Sequence, residues 1–376
     1  MRFFTSFTIH SVVFATLGFS SAFAEAPQTQ NSDETLSTHL DDNMPIINGD
    51  DATVDDYPMT GATLMKAEVF GYPLDTMVCS STLIAPDVVL LAAHCVDPAT
   101  LGGGFFEIES PEMYWTRQAD LSEWDGNTQS PELPTDAIKA TSWVFHEEFS
   151  IQGMSLGLGQ NHDIALLFLS QPVLDIYPAY LPTVSENGTI EMGDLVEVVG
   201  WGQQVATSQQ QSPPAGSYAH KQKGESYIAE LMAFEFKVGE NPEDVRKCHG
   251  DSGGPSFWES AAGMRIIGVT SHAYDNTDCF ETGGVDTRVS FYRDWIEEQL
   301  QSHCADGTRV WCDVPGIITP NYFEDLEAQA NEEEEKSRMG CASISGSLQE
   351  RLSLPLLLIS VCVSTVFRSS RRKMRL

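Results

Sequence analysis

A loop-rich all-β protein is what this sequence predicts, on three observations. Gly (29) and Pro (19) interrupt the chain too often for a helical bundle. The chain is 41% hydrophobic and only 20% charged, too apolar for wholesale disorder. Its continuous apolar runs are short and bounded by turn residues, the pattern of buried strands. At 376 residues there is length for two or three domains, although a single β domain can fill much of it. The formal charge of −33, from 54 acidic and 21 basic residues, excludes a phosphate-neutralising nucleic-acid binder.

The ends of the chain read differently from its middle. Residues 1–24 carry Arg2, an apolar run from Phe3 to Ser21 and the exit Ala22-Phe23-Ala24, which together form a secretory signal peptide. Residues 25–45 then read as a propeptide, and 303–340 as an acidic linker through Glu332–Glu335. The last block, 341–376, holds an apolar run from Leu352 to Phe367 and the basic residues Arg368, Arg371, Arg372, Lys373 and Arg375. A sixteen-residue helix spans roughly 24 Å against a hydrocarbon core of about 30 Å, so it is a marginal anchor, with the basic side facing the cytoplasm. With Gly340-Cys341 ahead of it, this tail resembles the tripartite C-terminal sorting signals of Gram-negative bacteria; a plain membrane helix is the other reading. Secretion, or display on the envelope of such a cell, is the expected location.

Two cysteines of eight, Cys341 and Cys362, belong to that tail. Export makes disulfides the default for the other six, Cys79, Cys95, Cys248, Cys279, Cys304 and Cys312. Spacing does not fix their connectivity, except that Cys304 and Cys312 are close enough to pair locally. Neither C-x-x-C nor H-E-x-x-H nor zinc-finger spacing occurs, so the sequence gives metal binding no support.

Taken in order, Cys79–Ile84 and Val88–Cys95 read as two strands joined by the turn Ala85-Pro86-Asp87, the second ending at His94. A Cys79–Cys95 bridge would hold that strand end rigid, as a general base requires. Asn161-His162-Asp163 is a polar turn entering the buried run Ile164–Phe168. The stretch from Pro111 to Pro134, with Trp115 and Trp124, reads as an enlarged loop near a cleft. Ser155–Gly159 and Leu101–Gly104 lack phosphate-loop context and read as surface loops. Asn187-Gly188-Thr189 reads as a turn.

In Cys248-His249-Gly250-Asp251-Ser252-Gly253-Gly254-Pro255, the glycines let a sharp turn aim N–H groups at one point beside a serine. The order His94, Asp163, Ser252 is one of the known triad orders.

Together these strings resemble the chymotrypsin/trypsin-like serine peptidases. Ile46-Ile47-Asn48-Gly49, Tyr57-Pro58, Gly200-Trp201-Gly202, Ser271-His272-Ala273 and Gly283-Gly284-Val285 extend the match over about 46–302, and Phe291, Trp295, Ile296 and Leu300 mark one face of a terminal helix. The resemblance implies two packed six-stranded antiparallel β-barrels with a C-terminal helix and a cleft between the barrels. It implies Ser252 as nucleophile, His94 as general base, Asp163 as its orienting acid, and the Gly250 and Ser252 amides as oxyanion hole. It also implies a Cys248–Cys279 bridge, a specificity pocket built from Arg246, Lys247, Ser271, His272, Gly284 and Asp286, protein or peptide substrates, and no cofactor. A binding or adhesion module that keeps the fold without catalysis is the alternative.

Two positions depart from the family's pattern. Precursor cleavage would free Ile46 to pair with Asp251, yet the preceding residue is Pro45 rather than Arg or Lys, so activation is expected to need an unusual protease, trimming or another mechanism. The pocket-floor position holds Arg246, followed by Lys247, which favours acidic side chains in the substrate over basic ones; an apolar preference is the other reading, with Asp286 near enough in the alignment to neutralise Arg246.

Overall fold

A computed structural model describes residues 45–102, 108, 110–124, 130–205, 217–277 and 279–323. The expected signal peptide, nearly all of the propeptide and the C-terminal sorting segment lie outside them. Among the described residues no helix is long and apolar enough to cross a membrane.

Among the described residues, twelve strands form two antiparallel barrels and a thirteenth adds to the second. The first barrel closes in the order β2 (Thr60–Val69), β3 (Tyr72–Ala85), β4 (Val88–Leu91), β7 (Ala165–Leu169), β6 (Ile138–Phe145) and β5 (Glu112–Thr116). The second runs β9 (Gln222–Leu231), β10 (Glu235–Val238), β13 (Gly284–Arg288), β12 (Gly263–Ala273), β11 (Pro255–Ser260) and β8 (Leu195–Gly200), and closes because β8 also pairs with β9. The short β1 (Asp50–Asp51) adds to β9. Closure removes the exposed edges that would otherwise template aggregation.

The apolar runs become the strands buried on both faces. Every residue of β4 and β7 is buried, and the two pair with Leu91 opposite Ala165. One continuous core joins Leu83, Leu90 and Leu167 of the first barrel to Phe257, Ile266 and Val269 of the second. A separate cluster in the second barrel packs Ile46 with Val196, Ile228, Phe236 and Ile267.

Several local readings need correction. The strand before His94 stops at Leu91, and His94 sits in a short 3-10 turn, Ala93–Cys95. The region expected as an enlarged loop contains β5, with Trp115 and Trp124 only 1% and 2% exposed; both tryptophans are core residues. Phe291 is 47% exposed and precedes the terminal helix Arg293–Ala305, whose buried face is Ile296 and Leu300.

The folded body also continues beyond residue 302. The Cys304–Cys312 disulfide turns the chain back at the end of the helix, and Ile318 and Phe323 join the main core. Arg309 reaches Asp87 in the β3–β4 turn, with Nη2 2.9 Å from Oδ1 and both side chains fully buried. Asp87 Oδ2 accepts from the Val310 and Trp311 amides at 3.0 and 2.8 Å. A polar turn residue is thus satisfied only by chain that arrives more than two hundred residues later.

Removing one partner of a buried ion pair typically costs 3–5 kcal/mol, because the other charge is left uncompensated. Arg309→Ala is therefore expected to lower unfolding free energy by about that amount in urea titration, and Asp87→Asn combined with Arg309→Met to recover a large part of it.

Candidate functional site

The cleft between the barrels is assembled from four segments. The turn after β4 supplies His94, the segment entering β7 supplies Asp163, the turn before β11 supplies Ser252, and β12 supplies Ser271. The Cys79–Cys95 disulfide ties the His94 turn to β3, with Cα atoms 6.0 Å apart.

Asp163 is completely buried and accepts three hydrogen bonds. His94 donates from its amide to Oδ1 at 2.9 Å and from Nδ1 to Oδ2 at 2.7 Å; Ser271 Oγ donates to Oδ2 at 2.6 Å. Its own carbonyl accepts from Thr287 Oγ1 at 2.9 Å. Burial works to raise the Asp163 pKa, yet the facing imidazole and these donors hold it below the ordinary carboxylate value. Burial likewise disfavours a charged His94, but the Asp163 carboxylate outweighs it and raises the histidine above its usual value. With Nδ1 committed to the acid, Nε2 is the nitrogen left for the cavity.

That cavity, about 270 Å³, is lined by His94 and Ser252 together with Lys247, His272, Gly283, Gly284 and the Cys248–Cys279 disulfide. Its mouth carries the Gly250–Ser252 turn. Gly250 has φ +92°, and a Cβ there would stand 2.6 Å from the Tyr218 ring, so only glycine fits. Its carbonyl is held on the opposite side by Ser80, whose amide and Oγ both donate to it, at 3.2 and 2.9 Å. The preceding carbonyl, that of His249, accepts from Gln203 N at 2.8 Å. Across a trans peptide this turns the Gly250 N–H away from Gln203. A buried hydroxyl, Ser80, is therefore a positioning group for this turn; sitting beside Cys79 in an apolar strand, it gave no signal in the sequence.

Asp251, also buried, accepts from the amides of Cys248 at 2.8 Å and Gly202 at 2.9 Å. Burial pushes its carboxyl up to about 6 despite those bonds. Ile46 is buried in the second-barrel cluster rather than exposed, with φ +31°, a strained value for a β-branched residue.

The pocket residues fall differently from expectation. Arg246 does not line the cavity: its guanidinium donates to the carbonyls of Cys279 at 2.7 Å and Pro242 at 2.9 Å. Lys247 does line it, but its ammonium lies 2.9 and 2.7 Å from the two Asp286 carboxylate oxygens and 2.8 Å from Ser256 Oγ. The cation is neutralised inside the protein, so the expected positive pocket floor is absent. Adjacent positions alternate in direction in extended chain, which is why Arg246 and Lys247 point to different places. His272 Nε2 bonds the Gly157 carbonyl at 3.0 Å, and Gly157 N bonds Tyr274 O at 2.6 Å. The Ser155–Gly159 loop is thereby held against His272, which lines the cavity.

Glu235, 1% exposed, holds the approach to Asp163 by accepting from Gly159 N at 2.5 Å and Asn161 Nδ2 at 3.0 Å. It lies on β10, in the other barrel, and no local pattern announces it.

Comparison with known proteins agrees with this architecture. A trypsin family model matches residues 46–296. The chain is 27% identical to a CLIP domain-containing serine protease, HP8, of Bombyx mori, over 75% of this chain and 77% of that protein. It is 26% identical to a trypsin of Phaedon cochleariae, over 69% of this chain and 90% of the relative. A trypsin of Saccharopolyspora erythraea is 28% identical, over 68% and 99%. A match spanning both barrels and more than half of the sequence places this chain in the trypsin family of serine proteases.

Proposed function

We propose that the protein is a secreted serine endopeptidase, made as a precursor, that hydrolyses peptide bonds through a Ser252 acyl-enzyme. The observation that carries this reading is Asp163: a fully buried carboxylate that binds His94 by both its amide and Nδ1, in the cavity that Ser252 also lines. Ser252 Oγ attacks the scissile carbonyl while His94 Nε2 takes its proton; His94 then returns the proton to the leaving amine. Asp163 keeps the imidazole in the required tautomer and stabilises its charged form. The Gly250 and Ser252 amides receive the oxyanion, a role in which losing one donor typically costs about 3 kcal/mol of barrier. Water repeats the sequence in reverse to release the acid product.

Activation follows from the same site. Cleavage after Pro45 relieves the strained Ile46 backbone and creates an ammonium that compensates Asp251. Because Pro45 is not basic, the activating protease is not one that cuts after Lys or Arg. The relatives named above lend no support to the expected Gram-negative envelope, and secretion alone is retained.

For substrate choice, the Lys247–Asp286 pair supports an uncharged side chain in the pocket, in place of the acidic preference that Arg246 suggested. An acidic side chain would have to draw Lys247 from Asp286 and leave that carboxylate buried without its partner.

A serine-reactive fluorophosphonate is expected to label matured protein beginning at Ile46 and not its Ser252→Ala variant; absence of label on the matured protein refutes the peptidase reading. In a peptide library, cleavage is expected after small or uncharged residues, and dominant cleavage after Asp or Glu would overturn the pocket assignment. Before cleavage, Asp251 binds protons more tightly folded than unfolded. Its contribution to stability is therefore full below about pH 4 and lost as pH rises through about 6, on the order of 3 kcal/mol. Urea titrations of the uncut precursor between those pH values are expected to show that slope, and Asp251→Asn to flatten it.

A further inference from the structure

His272 stands near the end of β12 and lines the cavity that Ser252 also lines. Both of its ring nitrogens face oxygens: Nε2 is 3.0 Å from the carbonyl of Gly157, in the Ser155–Gly159 loop, and Nδ1 is 3.0 Å from Ser271 Oγ. A carbonyl oxygen only accepts, so the first contact requires an N–H on Nε2. Ser271 has one hydroxyl proton, and at 2.6 Å from Asp163 Oδ2 that proton is committed to a buried carboxylate. Towards His272, Ser271 Oγ is therefore an acceptor, and the second contact requires an N–H on Nδ1. A neutral imidazole carries one N–H and an imidazolium carries two. Only the charged ring donates both bonds at once.

The loop depends on these bonds more at its tip than at its base. At the base, Gly159 N and Asn161 Nδ2 donate to Glu235. At the tip, Gly157 has φ +73°, and its amide and carbonyl bind Tyr274 O and the His272 ring. Leu156 is 50% exposed, so hydrogen bonds rather than apolar burial tie the tip down. When the ring loses a proton, one of its two bonds must go. Ser271 is buried, and its oxygen would lose a donor where water does not replace it; Gly157 is half-buried and within reach of water. The proton retained is then the one on Nδ1, and the contact surrendered is the one to Gly157.

We propose that His272 is a pH-operated latch on the Ser155–Gly159 loop: protonated, it holds Gly157 against the flank of the cavity, and neutral, it lets the loop tip go. Histidine is the side chain that changes charge between pH 5 and 8, so the latch closes at the acid end of that range and opens at the alkaline end. The loop brings no charge of its own. Facing His272 beyond Ser271 are Asp163 and His94, and across the cavity stand His249 and the Lys247–Asp286 pair. Glu235 lies under the base of the loop, while Lys237 and Glu230 meet the ring and hydroxyl of Tyr274. Because His94 and His249 are imidazoles too, the latch has to be read at the loop itself.

The test uses the whole chain in a Ser252→Ala background, which prevents self-digestion and needs no turnover, so its failure is separate from failure of the peptidase reading. Hydrogen exchange of the 155–159 amides is followed by mass spectrometry at pH 5 and pH 8, corrected for the intrinsic pH dependence of exchange. Protection is expected to fall about tenfold at pH 8, the size of losing one hydrogen bond from a charged donor. His272→Phe keeps a ring at this half-buried position without a donor, and is expected to show the low protection at both pH values. In the Ser252→Ala protein, nitrogen-15 spectra of the His272 ring are expected to show two protonated nitrogens at pH 5 and one at pH 8. Equal protection at the two pH values overturns the proposal, as does a fall that persists in His272→Phe or a His272 ring carrying a single proton at pH 5.

Discussion

The structure depends on burying one carboxylate, Asp163, without stranding it. An ionised carboxylate in an apolar core costs many kcal/mol unless its lone pairs are filled. No single barrel fills them: the first supplies the His94 amide and imidazole, and the second supplies Ser271, with Thr287 on the adjoining carbonyl. The barrels must therefore dock in one register for the charge to be tolerated at all. The requirement that orients the His94 imidazole is also the one that makes the interface specific. The positive φ of His162, at +50°, lies directly before this carboxylate, where surrounding bonds can hold an uncommon backbone in place.

The turn before Ser252 obeys a similar logic with opposite sign. The Gly250 carbonyl is held by Ser80 and the preceding His249 carbonyl by Gln203 N, so that occupied acceptors on either side direct the Gly250 N–H. Asp251 is left with two neutral amides, and its carboxyl is correspondingly pushed upward to about 6. One buried acid is fully compensated and ionises readily; the other awaits a charge. On the proposed reading, the difference between them would let a precursor carry an oriented imidazole before its Gly250–Ser252 turn is stabilised.

What was legible in the sequence follows from the range over which each constraint acts. Strand runs such as Val88–Leu91 and Ala165–Leu169 are encoded by local apolarity, and the glycines around Ser252 by local backbone need. The direction of a side chain was less legible. Arg246 and Lys247 are neighbours with the same charge, and only the fold shows that one ends on two carbonyls and the other on Asp286. Groups whose partners lie far along the chain were invisible: Glu235 against Asn161, Asp87 against Arg309, and His146 against His162 across a strand pair. Trp115 and Trp124 were misplaced because their flanking prolines and polar residues look like loop, whereas the barrel core takes in both side chains.

The acidic composition takes on a different meaning once the cations are located. Lys221, Lys237, Arg246, Lys247, Arg265 and Arg309 are each 5% exposed or less. Lys237 lies over the Tyr274 ring, and the other five meet carboxylates or bind carbonyls, as when Lys221 Nζ donates to Asp56 O at 2.7 Å. Six of the twelve lysines and arginines among the described residues thus lie in the interior, which leaves the exposed surface of those residues poorer in positive charge. Recognition can then act at two separable levels. On the proposed reading, a neutralised pocket would select by shape and hydrogen bonding over a few ångströms, whereas the surface field would act over about a Debye length, roughly 8 Å at physiological salt, and would draw cationic chains whichever side chain finally enters. Local and global electrostatics therefore need not share a sign, and the positive residues beside the Ser252 turn in the sequence were a poor guide to either.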